Sequence, residues 1–144
     1  MTKNKNYSNK KHVVYCPYCG KETELVDSKE IYGNRSYGWA YLCRDCWAYV
    51  GCHNKTKIPL GFPANEETRN WRMKAHAMFD PLWRLDYGNN IMLKSDRRKL
   101  LYKKVSELMN LDPNLTHIAM FNVEQCQELI SLILNGEVSR ECLK

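Results

Sequence analysis

Two cysteine pairs at C-x-x-C spacing, short β-type segments around them and three later stretches of helical periodicity predict an α+β fold class for this chain of 144 residues. The expected architecture is an N-terminal zinc ribbon, made of short antiparallel β-hairpins, packed with a C-terminal three-helix segment. It divides the chain into a disordered basic tail over 1–11, the ribbon over 12–57, a linker over 58–64 and a helical module over 65–144.

The tail is rich in Lys and Asn and has almost nothing to bury. From His12 to Thr56 the texture is β, in "TELVD", "KEIYG", "YGWAYLC" and "WAYVG", with turn material such as "GNRS" between strands. "KIPLGFP" carries two prolines and a glycine and reads as an extended linker. Beyond it, Asn65 is placed to cap a helix whose apolar face is Trp71, Ala75, Met78, Phe79 and Leu82, with Pro81 ending or kinking it before "DYGNN". A second helix is expected from a Ser95 cap, burying Leu100, Leu101, Val105, Leu108 and Met109. A third starts at Asn122 with Gln125 as its capping-box partner, runs through Cys126, Leu129, Ile130, Ile133 and Leu134, and stops at Gly136.

Cys16 and Cys19 form one pair and Cys43 and Cys46 the other, with 23 residues between them. A C-x-x-C turn points two sulfurs at one ion, and two such turns complete a tetrahedron around Zn²⁺. One structural zinc is therefore expected, since four thiolates leave no position for a catalytic water. A module of roughly 45 residues needs such a staple, because it cannot bury enough surface by itself. Cys52 and His53 are surplus to that set. Cys52 reads as a small buried hydrophobe and His53 as a polar edge residue, the alternative being that one of them replaces a cysteine ligand.

The formal net charge is +6, yet Lys3, Lys5, Lys10 and Lys11 of the tail supply four of those charges, so the body is near neutral. Within it, residues 94–104 gather Lys94, Arg97, Arg98, Lys99, Lys103 and Lys104 against Asp96, while beyond residue 104 two basic residues face six acidic ones. The tail and one basic helix are thus the expected phosphate contacts. No apolar run approaches the roughly 20 residues that span a bilayer, so no membrane partner is expected. The polar start lacks the apolar core of a secretory signal, which makes the cytoplasm the expected compartment and suits metal-bound rather than disulfide-bonded cysteines.

Tyr37, Trp39 and Tyr41 alternate and so share a strand face, as do Trp47 and Tyr49. They are candidate stacking platforms for unpaired bases, with Arg35, Arg44, Lys55 and Lys57 steering phosphates. The structural alternative is that the rings pack the ribbon. On the first helix, Arg69, Arg72, His76 and Asp80 form a polar stripe that suits a phosphate or carboxylate, or else a solvated face. His117 and Cys126 are open between packing and function.

The blocks "CPYCG", "YLCRDCWAYVGCH", "PLG", "RNWRMKAHAMFDPLW" and "THIAMFNVEQC", in this order from residue 13 to about 133, resemble the zinc-finger-containing domain family of phages and prophages. The resemblance implies Cys16, Cys19, Cys43 and Cys46 as zinc ligands. It marks Arg69, Arg72, His76, Phe79, Asp80, Trp83, Tyr102, His117 and Cys126 as pattern positions without an assigned role. It also implies a phage or prophage source and action in the cytoplasm of an infected bacterium. The chain departs from the pattern in "YKKVSELM" and in "FN".

Three functional readings follow. In the first, the protein binds nucleic acid through Arg69, Arg72, His76, Arg97, Arg98, Lys103, Lys104, Tyr37, Trp39 and Tyr41. In the second, a phage accessory protein binds and inhibits or redirects a host protein, such as a defence protein. The third is an enzyme using His76, Asp80 and the arginines, for which the sequence supplies no convincing nucleophile.

Overall fold

The computed structural model describes residues 10–85 and 92–143, so most of the expected basic tail, with Lys3 and Lys5, and the "DYGNN" turn lie outside the described residues. The chain divides into two compact units between Glu67 and Thr68.

The first unit is built on a three-stranded antiparallel sheet, β1 (Glu24–Asp27), β2 (Trp39–Cys43) and β3 (Ala48–Gly51), in the order β1-β2-β3. Leu25 lies opposite Tyr41, and Tyr41 opposite Val50, so these three share one face. That face closes over Val14 and Cys52. The alternate residues Val26, Ala40 and Leu42 form the other face, against Ile31 and Tyr49. Both faces of so small a sheet are covered, and this is why its residues read as a nearly continuous apolar run.

Between β1 and β2 the sequence-based expectation differs from the structure. "KEIYG" is not a strand but a single helical turn, α1 (Lys29–Tyr32). Asp27 Oδ1 accepts from the Lys29 amide at 2.9 Å, and Ser28 O accepts from Ile31 and Tyr32. These local bonds compete with a ladder, and among the described residues no strand pairs with the segment. Gly33, at φ 88°, ends the turn with a conformation that side-chain-bearing residues resist. Residues 58–64 were expected as an extended linker between modules. They are extended, but they pair with the sheet: Leu60 N donates to Gly51 O, and Tyr49 and Ala64 exchange two backbone bonds.

The second unit contains most of α2 (Glu66–Arg84), then α3 (Lys94–Met109) and α4 (Val123–Leu134), with 3-10 turns at Pro113–Leu115, Ile118–Met120 and Arg140–Leu143. Its core gathers Ala75 and Phe79, Leu101, Tyr102, Val105 and Met109, Ile118 and Phe121, and Cys126 and Leu129. Trp71 and Leu82 pack against it from the face expected for α2. α4 carries the expected capping box, with Gln125 N donating to Asn122 Oδ1 at 2.8 Å and Asn122 N to Gln125 Oε1 at 2.9 Å. Its stop is also as expected, Gly136 lying two residues past Leu134 at φ 85°.

α3 departs from expectation in start and in face. Leu93, not Ser95, holds the cap position, its carbonyl accepting from Arg97 N at 2.9 Å. Leu100 is exposed, and the buried stripe is Arg97, Leu101, Val105 and Met109, spaced by four residues. Arg97 was expected on the phosphate-facing side; instead it is 1% exposed. Its Nε donates to Trp83 O and its Nη1 to Met92 O, each at 2.7 Å. Arg140 Nη1 donates likewise to Leu82 O and Leu85 O.

The physical reason lies at the end of α2. The last carbonyls of a helix have no intrahelical donor and carry the negative end of its dipole, so a buried guanidinium satisfies them doubly. Pro81, which lacks an amide, is accommodated in the last turn of a helix capped in this way. Arg97→Ala should therefore destabilise the helical unit by roughly 3 kcal/mol, from orphaned carbonyls and a cavity together. Urea unfolding followed by far-ultraviolet dichroism measures this; a loss below about 1 kcal/mol would place Arg97 outside the scaffold.

Candidate functional site

The metal centre is assembled by two turns of like geometry. In the first, Cys16 N donates to Lys21 O (2.8 Å), Gly20 N to Cys16 O (2.9 Å) and Tyr18 N to Cys16 Sγ (3.4 Å). The second joins β2 to β3, where Cys43 pairs with Ala48. Gly20 and Trp47 occupy the equivalent place just after each second cysteine, and both are left-handed, at φ 78° and 49°. The sulfurs of Cys16, Cys19, Cys43 and Cys46 lie within 4.8 Å of one another, with Cys19 and Cys43 3.7 Å apart.

A tetrahedron with Zn–S bonds of about 2.3 Å has edges of roughly 3.8 Å, so the sulfurs stand at ligand spacing. Their acidities reflect the crowding. The Lys21 amide, with help from the other thiols, holds Cys19 below the usual thiol range. Burial and the neighbouring thiols push Cys46 up to about 12. For Cys43, the Cys46 amide pulls down, but burial and the thiols of Cys19 and Cys16 carry it upward. Four such thiols cannot all ionise without a cation between them, and a soft divalent ion supplies it. The four cysteines hold one structural zinc. Cys52 lies outside the set, packed with Tyr41, Val14 and Val50, where burial pushes its thiol up to about 11. His53 is exposed and turns its backbone, not its ring, into the fold, donating to Ile58 O.

The aromatic row expected on β2 is split. Tyr37 and Trp39 are 68% and 41% exposed, whereas Tyr41 is fully buried. Tyr41 Oη donates to Lys57 O at 2.6 Å and accepts from His12 N at 2.9 Å, so it ties three segments together and offers no stacking face. Arg35 lies 5.7 Å from the Tyr37 ring centre and Lys57 4.9 Å from that of Trp39. Arg44 is held by Glu24 and Glu30 at 2.9 and 2.6 Å.

In the helical unit the stripe on α2 is also divided. Arg72 Nε donates to Phe121 O at 2.8 Å, a tie from α2 to the turn before α4, and Arg69 is half-buried. His76 Nδ1 lies 3.1 Å from Asp80 Oδ2, and Trp83 Nε1 donates to Asp80 Oδ1 at 3.2 Å. Cys126 is a core residue.

A further grouping brings Trp83, Arg98, Tyr102 and His117 together. The Arg98 guanidinium lies 5.6 Å from the Trp83 ring centre and 5.5 Å from that of Tyr102, while Tyr102 stacks on His117 at 4.7 Å. Arg98 Nη2 donates to His117 Nε2 at 2.9 Å, and because a guanidinium can only donate, that nitrogen is the acceptor. Beside this stack opens a cavity of about 340 Å³, lined by Arg98, Lys99, Tyr102, Lys103, Pro113, Thr116 and His117. Lys104 is exposed and lies outside that lining. Lys99 was expected as part of the basic run over 94–104 but not among the candidate binding residues. The available signal was helical spacing, since Arg98 with Tyr102 and Lys99 with Lys103 stand four apart on adjoining rows.

Residues 12–136 match the family model described as a zinc-finger-containing domain, and the chain belongs to that family. No curated protein and no solved structure matches. Among the described residues no helix is long and apolar enough to cross a membrane.

Tyr102 carries a pH signature of the stack. Burial pushes its phenol up to about 12, against smaller downward pulls from the Ile118 amide and Arg98. A raised phenol favours the protonated fold, so its contribution is intact below pH 10, the ordinary value, and is lost as pH rises towards 12. That rise corresponds to roughly 2–3 kcal/mol. Stability measured against pH should fall through this window, and Tyr102→Phe should flatten the fall; an unchanged alkaline slope in the variant would count against a buried phenol.

Proposed function

We propose that this zinc-finger-containing protein binds nucleic acid, with phosphate groups entering the cavity on α3 and unpaired bases stacking on the exposed rings of the ribbon. The observation that carries the reading is the cavity itself. Three cationic side chains, Arg98, Lys99 and Lys103, line it together with His117, and among the described residues no carboxylate does. Concentrated positive charge around a concavity attracts phosphate by releasing counterions, which makes affinity steeply salt-dependent. The ribbon adds Tyr37 and Trp39, exposed and each accompanied by a cation, as platforms suited to unpaired bases. The zinc has no part in the contact chemistry under this reading; it stabilises the ribbon that presents the rings. The resemblance to a phage and prophage family supports the cytoplasm of a bacterial host as the place of action.

Fluorescence anisotropy with single-stranded oligonucleotides across a salt series tests the reading. Three neutralised phosphates give a slope of log K against log salt of about −2. Lys99→Gln with Lys103→Gln, both exposed and therefore tolerable to the fold, should weaken binding at least tenfold and reduce the magnitude of the slope by more than 1. Binding that is absent, or indifferent to salt and to the double substitution, would overturn it.

A further inference from the structure

The charge gathered around the α3 cavity distinguishes between two kinds of phosphate. An internal phosphodiester carries one negative charge and sits on a strand that must both enter and leave. A terminal phosphate monoester carries about −1.5 to −2 at neutral pH and enters from one side only.

The floor of the cavity is buried, with Tyr102 8% and Thr116 3% exposed, while its rim of Lys99, Lys103 and Pro113 is open to solvent. It is an open pit with a buried floor, α3 forming one wall and the segment Pro113 to His117 the other. Tyr102 is fixed at the floor by Phe79 on one ring contact and His117 on another, and its Oη accepts from Ile118 N at 3.4 Å. Thr116 is fixed by its hydroxyl, which donates to Asp112 O at 2.8 Å.

Arg98 is held in place before any ligand arrives, by the bond to His117 Nε2 and by the Trp83 and Tyr102 rings. A guanidinium has five N–H donors in a planar fork, more than its contacts with His117 and Tyr102 use, and such a fork matches two phosphate oxygens at once. Lys99 and Lys103 add two mobile point charges at the rim. Three cations around one pit match a dianion better than a monoanion.

Resting on the nucleic-acid reading, we propose that the pit is an end-recognition site that takes the terminal phosphate monoester of a nucleic-acid strand. The volume of about 340 Å³ admits the phosphate with the end nucleotide, and the strand then leaves over the lysine rim. Affinity should accordingly depend on the chemistry of the strand's end and not only on its length.

The test compares one single-stranded sequence in three forms: 5′-phosphorylated, 3′-phosphorylated and with hydroxyls at both ends. One phosphorylated form should bind at least tenfold tighter than the hydroxyl form, and a nucleoside monophosphate should compete with it. Lys103→Gln should shrink the difference, and Arg98→Lys, which keeps the charge but removes the fork, should shrink it while leaving the thermal midpoint near that of the parent. Equal affinity for all three forms overturns end recognition and leaves the nucleic-acid reading standing. No binding of any form, or of the monophosphate, overturns both. Binding of the monophosphate without any oligonucleotide keeps the pit as a monoester site and overturns the nucleic-acid reading.

Discussion

Four sulfurs within 4.8 Å of one another impose a constraint that the whole N-terminal unit obeys. Brought that close without a cation, the thiolates repel; with one, they become the strongest contact in a unit whose apolar clusters hold only a few buried residues each. The two cysteine turns are consequently built to aim sulfurs, even at the cost of a left-handed Trp47 where its counterpart is glycine. The strands that carry the ligands are then fixed in register, and Tyr41 and the 58–64 segment close the sheet around them.

In the helical unit the ordering role passes to arginines. Arg97 and Arg140 cap the end of α2, and Arg72 ties that helix to the turn before α4. Each donates to backbone carbonyls, those bound by Arg97 and Arg140 lying at a helix end where intrahelical donors run out. The adjoining row of α3 lines the cavity instead, where Arg98 is half-buried in an aromatic stack and Lys99 and Lys103 reach solvent. The same short basic run thus supplies both scaffold and cavity, divided by a rotation of one residue along the helix.

That division marks what the sequence could and could not convey. The cysteine spacing named the four zinc ligands because tetrahedral geometry leaves little freedom, and the capping box of α4 was legible because both partners are local. Arg97 was misplaced because charge in sequence suggests solvent, and nothing local reveals that distant carbonyls of α2 need a donor. Alternation put Tyr41 on one face with Trp39, as the register of β2 has it, but could not tell that Val14 and Cys52 cover that face at Tyr41 while Trp39 stays exposed. The single turn α1 was read as strand because its Ile and Tyr suit either state, and the decision lies with Asp27, Ser28 and Gly33 around it. Of the resemblance positions, Asp80 with Trp83 and Phe79 with Tyr102 and His117 are joined into one set through Arg98, a link across elements that linear spacing does not disclose.

The closed tetrathiolate is the claim on which the ribbon stands, and X-ray absorption at the zinc edge addresses it most directly, on protein purified without chelators. One zinc per chain surrounded by four sulfurs at about 2.3 Å is the expected result. A nitrogen or oxygen atom in place of one sulfur, or protein that is folded and metal-free, would contradict it.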